Sequence, residues 1–101
     1  MNHTPGPWRM EQSQKYHSIR VVGADNKPVA SFGNQARWIG YTQMLANARL
    51  IAAAPELLEA CEMALNTLNG LAHFLNDVEQ DTIEYLLLAI AKARGRHETG
   101  D

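Results

Sequence analysis

The sequence predicts an α+β domain, a small three-stranded antiparallel β meander at the N-terminus packed against two or three C-terminal helices. Three observations predict it. From Trp8 to about Gly33 apolar residues alternate in short runs bounded by turn residues, the pattern of strands. From Thr42 onward they recur every three or four positions, the period of a helix face. The strand-like runs are joined by connections too short for the crossover that parallel neighbours need.

Strands are expected near Trp8–Gln12, His17–Val22 and Pro28–Phe32, with Gly23-Ala-Asp-Asn-Lys27 supplying small and Asx residues for a tight turn. Three strands alone are marginal, so helices must cover one face. Thr42 is placed to cap a first helix running through Met44, Leu45, Ala48, Leu50, Ile51 and Ala52 to about Ala54. Pro55 lacks an N–H and clashes with a preceding helical turn, yet suits a first helical position, so a second helix starts there with Glu56 and Glu59 near its positive end. Its expected inward stripe is Leu57, Cys61, Leu65, Leu68, Ala72 and Leu75, with a bend at Gly70, where glycine costs ~1 kcal/mol relative to alanine. Asp81-Thr-Ile-Glu84 reads as a capping box with Asp81 as the cap. The helix it opens turns Ile83, Leu86, Leu87, Ile90 and Ala91 inward. It ends with Lys92 and Arg94 in its last turn and Gly95 in the left-handed position. Residues 1–95 then form one domain and 96–101 a flexible polar tail.

A chain of 101 residues can bury a core without disulfides or a structural metal. The single cysteine excludes an internal disulfide framework and a multi-cysteine zinc site, and fits a reducing cytoplasm. MNHTPGPWRM has neither the basic start nor the apolar run of a signal peptide. No apolar stretch reaches the ~20 residues of a membrane span. A cytoplasmic protein is expected. The net charge of −2 hides an asymmetry: residues 1–40 carry +3, residues 41–101 carry −5. Asp77, Glu79, Asp81 and Glu84 crowd into eight positions, either a solvated helix start or an acidic binding patch.

Nothing local assembles a nucleophile, a base and an orienting group. Cys61 falls on an inward stripe, where a free cysteine acts as a small hydrophobe. No two of His3, His17, His73 and His97 have the i, i+4 spacing of a zinc motif, and no glycine-rich phosphate loop is present. The expectation is a binding protein rather than an enzyme, with no cofactor and no metal. Arg37, Trp38 and Tyr41 combine a cation with two aromatic faces at the junction of sheet and helices. That is the composition of a hot spot or base-stacking platform, unless Trp38 only seals one end of the core. With Arg20 and Lys15 in the same half, a phosphate-bearing ligand is a second option. Trp8 is expected in the core, the commoner use of tryptophan. Met44, Leu58, Met63, Phe74 and Leu88 exceed what one small sheet covers, so a homodimer or higher oligomer competes with a closed monomer core.

Two segments carry a resemblance, His3-Thr-Pro-Gly-Pro-Trp8 and Ala46-Asn-Ala-Arg-Leu-Ile-Ala-Ala-Ala-Pro-Glu-Leu-Leu-Glu-Ala60. Together they resemble a widespread family of small phage and prophage proteins with a TPGPW start, a short β meander and an ANARLIAAAPELLEAL helix. Cys61 stands where that pattern has a further leucine. The resemblance implies a phage protein acting in the cytoplasm of a bacterial host. As a class, such proteins antagonise host defence by covering a surface of a CRISPR complex or other defence protein, or by sequestering a nucleotide signal. The resulting expectation is a non-enzymatic antagonist that binds a host defence protein through Arg20, Arg37, Trp38 and Tyr41 or through the acidic residues Asp77 to Glu84. The alternative is an oligomeric nucleotide sponge using Arg20, Arg37, Trp38 and Arg94. A nucleic-acid-binding accessory protein ranks lower, because a pI near 6.0 lacks the usual basic footprint. Trp8, Asn47 and Pro55 are expected to be structural, Asn47 through a buried amide tied to a neighbouring backbone.

Overall fold

The computed structural model describes residues 3–13, 18–32 and 40–95. The chain divides into two compact units, one ending at Glu56 and the other beginning at Leu57. The expected tail at 96–101 lies outside the described residues.

The first unit holds the meander: β1 (Arg9–Ser13), β2 (Ser18–Val22) and β3 (Pro28–Ser31), antiparallel in the order β1-β2-β3. Alternation on β2 sends Ile19 and Val21 into the core and Arg20 outward, opposite Glu11 of β1. The register shifts between Val21 and Val22 as the sheet enters its turn. There Asn26 takes a positive φ of 65°, its N–H donating to the Gly23 carbonyl at 3.0 Å, and Asp25 Oδ1 accepts from the Lys27 N–H at 3.0 Å. Asparagine tolerates that conformation through its short polar side chain.

One helix, α1 (Tyr41–Ala52), provides the cover the sheet requires. Met44 and Ala48, one turn apart, are buried against Ile19 and Val21, ringed by Trp8, Met10, Val29, Phe32, Leu45, Ile51 and Ala52. Each large apolar side chain enclosed this way contributes roughly 1.5–3 kcal/mol. Two expectations fail on α1. Gly40, with extended backbone, is the N-cap, and the Met44 N–H donates to its carbonyl at 3.0 Å. Thr42 therefore lies inside the first turn and caps nothing. Asn47 is exposed, beyond the edge of the face that Met44 and Ala48 bury, so it forms no buried tie.

The second helix, α2 (Ala54–Gly70), begins one residue before Pro55, whose missing N–H costs nothing in a first turn. Its half-buried stripe is Leu58, Cys61, Leu65 and Leu68. Leu57 is exposed, a correction to the expected stripe: at 3.6 residues per turn either leucine lies within the same width of arc as Cys61, Leu65 and Leu68, and packing encloses Leu58. Gly70 ends α2 rather than bending it, and the 3₁₀ turn Ala72–Phe74 follows, so Ala72 and Leu75 leave the helix.

The third helix, α3 (Asp77–Ala93), starts a turn earlier than expected. Its cap is Asn76: Oδ1 accepts from the Glu79 N–H at 2.8 Å while Glu79 Oε1 accepts from the Asn76 N–H at 3.0 Å. This reciprocal box displaces the one read at Asp81, which sits within the helix. Ile83, Leu86, Ile90 and Ala91 are enclosed to differing degrees, and Ile90 is buried. Leu87 is instead exposed, at the rim of a groove that it lines with Glu62, Leu65, Asn66, Ile90 and Ala91. Gly95 closes the helix with φ 74°, as expected. Arg94 reaches across to α2, its Nη2 2.7 Å from Glu62 Oε2, with Nε donating to the same oxygen at 2.8 Å.

Candidate functional site

The two segments behind the family resemblance meet in space. At the N-terminal segment, Trp8 Nε1 donates to the Thr4 carbonyl at 2.9 Å, and the His3 ring meets the Trp8 ring edge-on at 5.9 Å. The Pro5 carbonyl accepts from the Ala24 N–H at 3.2 Å, which fastens the segment to the β2–β3 turn. A Cβ on Gly23 would stand 2.5 Å from Thr4 Cγ2, and one on Gly6 would stand 3.1 Å from Pro55 Cβ. The start of the chain is therefore a strap laid across a turn and the head of α2, with glycines at both close approaches. Trp8 and Pro55 thus serve the fold, Trp8 as a half-buried neighbour of the core.

The remaining candidates are spread over both units. Arg20 is exposed on β2, and its Nε donates to Glu11 Oε1 at 2.8 Å. Arg9 Nη2 meets Glu11 Oε2 at 3.0 Å and donates to Asn26 Oδ1 at 2.6 Å. The hydrogen bond from Arg20 outweighs desolvation and holds the Glu11 carboxyl below its ordinary value, and a weaker hydrogen bond from Arg9 adds to the lowering. Glu11, Gln12, Ser13, Ser18 and Arg20 line a shallow hollow at this end of the sheet. Tyr41 is exposed at the head of α1. Arg37, Trp38 and Lys15 lie outside the described residues.

The four acids occupy the first two turns of α3, all exposed. Asp77, Asp81 and Glu84 share one side at i, i+4 and i+7, whereas Glu79 is taken up by the capping box. Among the described residues no group of three His, Cys, Asp or Glu could hold a metal ion.

Of the apolar surplus expected from the sequence, Met63, Phe74 and Leu88 are exposed in this unit, and Leu71, Val78 and Tyr85, which the sequence reading missed, join them. Phe74 is 84% exposed, and Leu71, to whose carbonyl the Phe74 N–H donates at 2.8 Å, stands exposed beside it. Val78 and Tyr85 are 74% and 73% exposed and Leu88 is 57% exposed. The signal was present in the spacing of seven and three among Val78, Tyr85 and Leu88, a row opposite Ile83, Leu86 and Ile90.

Among the described residues no helix is long and apolar enough to cross a membrane. No curated protein and no solved structure matches the chain. A family described as Salmonella phage P22 protein Y8K6 matches residues 1–97, a span that takes in the strap, the meander and all three helices. The chain belongs to that phage protein family.

Proposed function

We propose that this phage protein acts by binding rather than catalysis, and that it antagonises a host defence system by occupying a surface of one protein component, such as a CRISPR complex. The observation that carries the reading is the turn between α2 and α3. Leu71 and Phe74 stand exposed there, followed at once by Asp77 and Glu79. An aromatic anchor beside carboxylates has the make-up of an interface hot spot. It suits a partner surface with an apolar pocket and basic surroundings, as proteins that hold nucleic acid present. The cytoplasm of the bacterial host is the compartment such a role requires.

A nucleotide sponge would draw on Arg20 and Arg94, which already hold Glu11 and Glu62. It is the weaker reading for that reason.

The test is interference in a host with an active CRISPR system that expresses the protein, with efficiency of plating as the readout. The wild type restores plating of a targeted phage and co-purifies with a component of the complex. Phe74→Asp loses both without a change in melting temperature, since the side chain supports no core. Unchanged interference with the wild type overturns the reading. A melting-temperature rise with a cyclic or ADP-ribose-type nucleotide would favour the sponge instead.

A further inference from the structure

We infer that the outer face of α3 pairs with the same face of a second copy, antiparallel, about a two-fold axis midway between Leu86 and Leu87. Val78, Asp81, Tyr85, Leu88 and Lys92 recur at spacings of three and four, the seam of two packed helices. At 3.6 residues per turn this row lies on the side of α3 away from Ile83, Leu86 and Ile90, the last of which shares its groove with Leu65 of α2. A solvated outer face should be polar, yet its three apolar members are each more than half exposed.

Charge decides what covers it. Asp81 and Lys92 are both exposed and neither forms an ion pair among the described residues. They are equidistant from the midpoint between Leu86 and Leu87, and so are Tyr85 and Leu88. An antiparallel pair therefore sets Asp81 against the partner's Lys92 twice, and Tyr85 against the partner's Leu88 twice, with no residue of the row facing a like charge. The interface is self-complementary, as two-fold association demands. A parallel pair would instead align Asp81 with the partner's Asp81 and Glu84 with the partner's Glu84. Antiparallel pairing also places the acidic first turns, at Asp77 and Glu79, toward the end of the partner's helix that carries Lys92. A host protein would need to supply this same alternation by coincidence, whereas a second copy supplies it by symmetry.

The pairing concerns the chain alone and does not depend on the defence reading. Light scattering over a concentration series should show the wild type passing from 11.2 kDa to about twice that mass. Asp81→Lys and Lys92→Glu each create two like-charge contacts and should weaken self-association on the order of tenfold. Mixing the two single variants makes both contacts attractive again, so the mixture should form a dimer where each alone does not. Circular dichroism of each variant confirms that helix content is kept. A wild type that stays at 11.2 kDa, or an assembly that neither charge reversal weakens and mixing does not restore, overturns the proposal.

Discussion

Gly23 carries more constraint than its size suggests. It is buried, its N–H donates to the Lys27 carbonyl at 3.0 Å, and Thr4 occupies the space a side chain would need. Gly23→Ala should lower stability by about 1–3 kcal/mol, because the methyl group drives the strap off the turn. Denaturant unfolding measures the loss, and an unchanged midpoint would mean that Thr4 moves aside without cost. Glu11 offers a pH-dependent test at the same scale. Its pKa is depressed in the folded chain by Arg20, so its contribution is present above the unfolded pKa and disappears as pH falls through the folded one. Glu11→Gln should therefore be less stable than the wild type near neutrality and lose less stability on acidification. Melting curves taken down through the carboxylate range would show the two converging.

At the scale of elements, the head of α3 explains how a local signal misleads. Asn76-Asp-Val-Glu79 and Asp81-Thr-Ile-Glu84 both carry a capping residue three positions before a glutamate, and neither is stronger on paper. The chain uses the first, so the acids at 81 and 84 become helix-face residues. Asn76→Ala should cost about 0.5–2 kcal/mol. Asp81→Ala should stay within about 0.5 kcal/mol in the monomer. Urea unfolding followed by circular dichroism separates them, and a larger loss at Asp81 would restore the later start. On α2 the ambiguity was one of phase. Leu57 and Leu58 are adjacent and both leucine, so periodicity admits either as the head of the stripe, and packing chose Leu58.

On the scale of the whole molecule, the two units differ in how fully they enclose their apolar residues. The first closes a core around Ile19, Val21, Met44 and Ala48. In the second, Ile90 is the one buried apolar residue among those described, while Phe74, Val78, Tyr85 and Leu88 are exposed. A surface of this kind marks an interaction site more often than a free monomer. The charge asymmetry belongs to the same picture: four of the nine acids in residues 41–101, Asp77, Glu79, Asp81 and Glu84, lie on α3, the helix that carries the exposed apolar row. The strand order, the turn at 23–27, the break at Pro55 and the left-handed Gly95 were all legible from the sequence by itself. Period, turn chemistry and proline sterics act within a few residues and need no distant partner. The strap between Gly6 and Pro55, the solvation of Asn47, the turn of Leu57 and Leu87 toward solvent and the choice of Asn76 as cap emerged only in the tertiary structure. Each depends on which neighbour arrives across the fold, and a helical period constrains the width of an apolar face without saying which edge of it will be covered.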